Sequence, residues 1–134
     1  MKYTKATNYA LHTILFMMEQ DQNEKLSVHV LAKQFQLSAT YLSKILTQLV
    51  KAGLIESVSG ASGGYALRKD PESISFMDVI QAIEGSGIFF ECTLQQEIKC
   101  PIQKVMNEAE NIMEQYLQEK KLFDISSIKT CKTK

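Results

Sequence analysis

Residues 27–68 read SVHVLAKQFQLSATYLSKILTQLVKAGLIESVSGASGGYALR, and the fold follows from how they are parsed. Val30, Leu31 and Phe35, with small Ala32, recur at helical spacing. Ser27 stands just before them as an N-cap, a position that favours a short side chain able to accept a backbone N–H. Leu37 packs the turn, and Ser38 caps a second helix. That helix carries Leu42, Ile45, Leu46 and Leu49 on one face and Thr40, Tyr41, Ser43, Lys44 and Gln48 on the other. Gly53 ends it, where a left-handed backbone needs no Cβ. Leu54–Val58 then reads as a short strand, Ser59–Gly64 as a glycine-rich tip and Tyr65–Arg68 as the return strand. The sequence predicts a helix-turn-helix followed by a β-hairpin wing, in a mostly α fold with a small β component.

The second helix has chemistry suited to a DNA groove. Its first turn offers the hydroxyls of Ser38 and Thr40 beside backbone N–H groups that have no partner within the helix. Those donors and the helix dipole suit phosphate oxygens, and Lys44 and Lys51 add positive charge. Two short amphipathic helices packed together for burial alone would show the same periodicity. The wing favours the nucleic-acid reading, because Gly60, Gly63 and Gly64 let the backbone approach another backbone or a phosphate closely. The tip is not a P-loop, since it lacks the GK[ST] ending.

A chain of 134 residues, 45% hydrophobic, is the size and composition of one ordinary globular domain. The apolar run Leu11–Met18 is too short to span a membrane, and MKYTKATNYA lacks a cleavage signal, so the expected location is the cytoplasm. Net charge is zero overall but uneven. Residues 1–69 hold eight Lys/Arg against four Asp/Glu, and residues 70–134 hold seven against eleven. A basic half carrying the helix-turn-helix is the electrostatic footprint of a nucleic-acid partner.

Before the helix-turn-helix, residues 4–20 form an apolar helix with more than one buried stripe. Lys2, Thr4 and Lys5 at its start are within reach of phosphates; a solvated terminus is the plainer reading. After the wing, Asp70-Pro71 marks a turn. Ser75 and Asp78 bracket the start of a helix with Phe76, Val79, Ile80 and Ile83 on its apolar face. Residues 85–101, GSGIFFECTLQQEIKCP, read as a long loop, and Pro101 opens the last helix. Along residues 102–120, Ile102, Met106, Ala109, Met113 and Tyr116 make a heptad-like seam, widened by Val105, Ile112 and Leu117. A single helix with such a seam calls for a mate, and hence a two-fold homodimer on a roughly palindromic duplex. The expected division is a DNA-binding unit over 1–84, a connecting loop over 85–101, and a dimerisation helix and tail over 102–134.

The segment YLSKILTQLVKAGLIESVSGASGGYALRKDPESIS, together with the opening MKYTKATNYAL, resembles the Rrf-two (BadM-type) winged-helix repressors over nearly the whole chain. The resemblance implies a winged-helix transcriptional regulator. Ser38, Thr40, Tyr41, Ser43 and Lys44 would face the major groove. Ser59, Gly60, Ser62, Gly63 and Gly64 would lie along the minor groove or its phosphates, and Ser27, at the start of the first helix of the pair, would be a further DNA contact. Relatives often carry arginine where Ser59 stands and glutamate where Ser43 stands. Iron–sulfur relatives have three cysteines in the loop; Cys92 matches the first and Cys100 the last, and the middle one is missing. Some relatives complete a cluster from the partner subunit's first helix, at positions matching Asn8 and His12. The resemblance therefore allows a 2Fe–2S cluster on Cys92, Cys100 and His12.

Read from their positions alone, Cys92 and Cys100 lie where a cross-link or ligand would change the angle between the two halves. A thiol–disulfide switch, a metal site and a pair of unreactive thiols all remain open. Cys131 reads as an exposed tail thiol and His29 as a helix-surface residue. Two functional classes compete with a DNA-binding regulator. One is a winged-helix protein-interaction module, which needs no basic surface. The other is an enzyme, for which no Ser–His–acid arrangement, zinc-protease motif or phosphate loop is present.

Overall fold

Four short polar side chains start the four helices of the N-terminal part. Thr4 caps α1 (Lys5–Met18), Ser27 caps α2 (Val28–Phe35), Ser38 caps α3 (Ala39–Lys51) and Ser75 caps α4 (Phe76–Glu84). Each side-chain oxygen accepts the backbone N–H three residues on, which satisfies a donor that the helix itself leaves open. At Ser75 the box is complete, because Asp78 Oδ2 accepts the Ser75 N–H in return. The computed structural model describes residues 3–85 and 100–127. Lys2, Cys92 and Cys131, and most of the 85–101 loop, lie outside the described residues.

Between α2 and α3 the turn is made by Gln36, a non-glycine residue in the left-handed region at φ 56°. It lets the Leu37 N–H reach back to the Ala32 carbonyl. The wing is β1 (Ile55–Val58) antiparallel to β2 (Gly64–Leu67), with Ile55 opposite Leu67 and Val58 opposite Gly64. The expected strands were one residue longer at their outer ends; Leu54 instead accepts the N–H groups of Arg68 and Lys69 at the base of the hairpin.

Among the described residues one apolar cluster forms the core. Leu31 of α2, Leu42, Ile45, Leu46 and Leu49 of α3, Ile55 of β1 and Val79 of α4 close around Ala10, Ile14, Met17 and Met18 of α1. α4 buries Met77 as well as Val79 and Ile80, whereas Phe76 and Ile83, expected on its apolar face, are only half-buried.

α5 (Pro101–Glu119) opens with proline at its first position, as the sequence implies. The chain then returns: the Phe76 N–H donates to the Lys120 carbonyl and the Leu122 N–H to Ile74. Leu122, at the start of a 3₁₀ turn spanning Leu122–Ile125, is buried in the same core as the helix-turn-helix. The start of the tail is thus part of the N-terminal core.

The seam of α5 divides differently from the sequence expectation. Met106 and Met113 turn toward their own chain, with Glu110 between them. Ile102, Val105, Ile112 and Tyr116 are each 60–68% exposed, and Ala109 is exposed beside them. The expected seam merged two adjacent stripes, because residues three and four apart lie on both sides of any helical line.

Candidate nucleic-acid interface

The surface that would meet a duplex is built from three pieces fixed to one another. α3 is anchored by Leu42, Ile45, Leu46 and Leu49, so its opposite face must point outward. Thr40, Tyr41, Lys44 and Gln48 are exposed there, as is Ser38 at the cap. Ser38 Oγ accepts the Tyr41 N–H at 3.1 Å, which leaves its hydroxyl hydrogen available to an external acceptor. Ser43 is half-buried, and its carbonyl accepts the Thr47 hydroxyl at 2.9 Å. Of the expected groove residues on α3, it is the least accessible.

The wing is tied to the front of α2. The Leu26 N–H donates to Tyr65 and the Tyr65 N–H donates to Leu26, at 2.9 and 2.7 Å. This bridge continues the hairpin by one more strand position and sets the wing's height relative to α3. Gly64 makes it possible: at φ +146°, a Cβ there would stand 2.7 Å from the Leu26 carbonyl oxygen. Gly63 is tighter still, since a Cβ would lie 2.1 Å from the Val58 carbonyl oxygen. Ser59, Gly60 and Ser62 form the exposed tip, and Val58 beside it is 39% exposed.

α1 supplies the third piece. Tyr9 meets Tyr41 edge to face, ring centroids 6.0 Å apart at 87°. Two turns further along, Phe16 meets Phe35 of α2 in the same way, at 5.9 Å and 77°. Lys5 is exposed at the start of α1. Thr4, expected as a phosphate contact, has a structural role: its backbone N–H and its hydroxyl both donate to Glu84 Oε2 at 2.9 Å, and the Thr7 hydroxyl donates to the same oxygen. Ser27 likewise uses its oxygen on the Val30 N–H, at 3.1 Å. Neither the Glu84 clamp nor the Tyr9–Tyr41 contact is legible from residue patterns, because both join residues far apart in the chain.

The candidate sensor residues are spread over two helices. Cys100 is half-buried at the N-cap position of α5. His12 is exposed on α1, and its Nδ1 lies 2.8 Å from the Asn8 carbonyl. A carbonyl can only accept, so Nδ1 carries the proton and Nε2 is left for another partner. Among the described residues no three His, Cys, Asp or Glu side chains gather into a metal-holding group, and no helix is long and apolar enough to cross a membrane.

A half-exposed second helix capped by hydroxyls, with a hairpin wing latched beside it, defines a winged helix-turn-helix protein. The profile of the Rrf2 family, described as iron-dependent transcriptional regulators, matches residues 3–127, and the chain belongs to that family. Its members are transcriptional regulators and not enzymes. The chain is 34% identical over 105 residues to the HTH-type transcriptional regulator NsrR of Geobacillus kaustophilus, covering 78% of this chain and 71% of the relative. CymR, the global cysteine regulator of Bacillus subtilis, superposes with a TM-score of 0.80 at 24% identity, over 96% of this chain and 98% of that one. The oxidized form of Staphylococcus aureus CymR superposes with a TM-score of 0.74 at 30% identity, over 95% and 97% of the two chains.

Proposed function

We propose that this protein is a homodimeric repressor, acting in the cytoplasm, that reads a roughly palindromic operator through α3 and lays its wing along the flanking minor groove. The observation that carries the reading is the N-terminal turn of α3. There the capped amides, the Ser38 and Thr40 hydroxyls, the Tyr41 phenol and Lys44 share one exposed surface, held level with the wing by the Leu26–Tyr65 bridge. A helix N-terminus of this kind positions on phosphates and reaches base edges with its first residues. Residues 1–84 act as the DNA-binding unit, 85–101 as the connecting loop, and 102–134 as the dimerisation helix and tail. Lys2 and Lys5 add phosphate contacts at the flank.

The test is fluorescence anisotropy against a duplex selected by the protein from a random library. The logarithm of affinity should fall with log salt at about −0.9 per phosphate contacted. Lys44→Glu should weaken binding about ten- to hundredfold while the oligomeric state is unchanged. Salt-independent affinity, or no selected duplex, would instead favour a winged-helix module that binds protein.

For the signal, a 2Fe–2S cluster needs four strong donors. Cys92, Cys100 and His12 supply three, and the other matching position is Asn8, a neutral amide. This donor set does not fit a complete cluster. A thiol pair fits better, and a relative 30% identical is described in an oxidized form. Peroxide would take two electrons and two protons from Cys92 and Cys100, joining the sulfurs and releasing water. Cys100 stands at the N-cap position of α5. A disulfide there would pull on α5 where it leaves the loop. Mass mapping after peroxide under non-reducing conditions should show Cys92 linked to Cys100; two unlinked cysteines would reject the switch.

A further inference from the structure

We infer that Tyr9 is a positioning residue for sequence reading: it holds the Tyr41 ring in the orientation that α3 presents to DNA. This rests on the DNA-binding reading above and adds a residue that lies outside the helix-turn-helix. Tyr41 occupies the third helical position of α3 and is 37% exposed. Its backbone is fixed by the Ser38 cap at 3.1 Å. Its side chain is held by Tyr9, whose ring meets it edge to face at 6.0 Å and 87°. Tyr9 can serve as a fixed stop because it is half-buried and packed against the core cluster. The Phe16–Phe35 contact on the same face of α1 holds the other helix of the pair in like manner.

A quadrupole-matched ring pair of this kind restricts the Tyr41 rotamer before DNA arrives. Ordering a side chain in advance removes part of the entropy cost of binding. The gain falls only on duplexes that Tyr41 contacts productively, so it appears as discrimination and not as general affinity.

The experiment uses the full chain, with the selected duplex and a random duplex of equal length at one salt concentration. Tyr9→Leu should weaken binding to the selected duplex about two- to tenfold and leave the random duplex within about twofold. Tyr9→Phe, which keeps the ring edge, should bind as the parent does. In a Tyr41→Ala background, Tyr9→Leu should have no further effect. Melting temperatures guard the comparison, and if Tyr9→Leu unfolds early, Tyr9→Met fills the same space with a flexible chain and is read the same way. Equal losses on both duplexes, or full additivity with Tyr41→Ala, would overturn the inference while leaving DNA binding intact. A parent chain that selects no duplex would overturn both.

Discussion

Glu84 is the last residue of α4, and one of its oxygens holds the start of α1 by three hydrogen bonds. Burial pushes its carboxyl up, but the Thr7 hydroxyl and the Thr4 N–H and hydroxyl favour the charged form and bring it below the usual carboxylate range. The unfolded chain therefore takes up this proton at a higher pH than the folded one. The stability contributed is present in full above the unfolded value, about 4.3, and is lost as pH falls through the depressed folded value. Asp78 behaves alike: burial raises it, while the Ser75 N–H, Lys69 at 2.9 Å and the Ser75 hydroxyl lower it further. Urea titrations from neutral pH down through the carboxylate range should show the midpoint falling. Glu84→Gln should flatten that fall only in part, and Glu84→Gln with Asp78→Asn should flatten it further. Glu84→Ala should cost about 1.5–3 kcal/mol at neutral pH, the range for hydrogen bonds to a charged group. Glu110 has the opposite character. It is 6% exposed, and its Oε1 has no hydrogen-bond partner among the described residues. A buried polar oxygen without a donor is destabilising, so Glu110→Met should raise stability by about 1–2 kcal/mol. A drop in the chemical-denaturation midpoint would show that Glu110 has a partner on which the fold depends.

Among the elements, those whose signals are local were legible in the sequence. Ser27, Ser38 and Ser75 each sit one residue before an apolar-periodic run, and each is a cap in the structure. The wing was legible because three glycines interrupt alternating strand residues, and the hairpin register bears them out. The bridge from Leu26 to Tyr65 was not, since no periodicity marks a single pairing across nearly forty positions. Nor was the return of Leu122 to the core, where one buried side chain follows a polar helix end. At the wing, the glycines have separable roles that substitution can test. Gly60 is at φ +106° with open space around it, so Gly60→Ala meets only backbone strain of about 1–3 kcal/mol. Gly63→Ala drives a methyl into the Val58 carbonyl and must displace β1. Hydrogen exchange should show the β1–β2 amides opened by Gly63→Ala and little changed by Gly60→Ala. Operator affinity should fall further for Gly63→Ala, by about tenfold or more, if the tip touches the duplex.

At the scale of the whole molecule, the outward stripe of α5 groups four of the exposed large apolar side chains among the described residues. Ile102, Val105, Ile112 and Tyr116 run along most of its length, while Met106 and Met113 on another face are half-buried and Glu110 between them is buried. An apolar seam on this helix was legible in the sequence; which of its positions stay exposed was not. A heptad pattern gives the period of a seam, and tertiary packing decides which of two neighbouring stripes stays open. For the proposed dimer this reassignment is decisive, because Met106 and Met113 contribute to the subunit's own packing and not to the exposed stripe. Val105→Glu and Ile112→Glu each place a charge in the middle of that stripe, where pairing with a second copy would desolvate it. Either change should give a monomer by light scattering at concentrations where the parent is a dimer, with helix content retained. Operator affinity should fall steeply at the same time, since one subunit engages only one half-site. Met106→Glu should behave differently: it lowers the melting temperature of the subunit without selectively dissociating the pair. If Val105→Glu and Ile112→Glu both remain dimeric, the subunits meet through another surface, and the spacing of the two α3 helices must be set elsewhere.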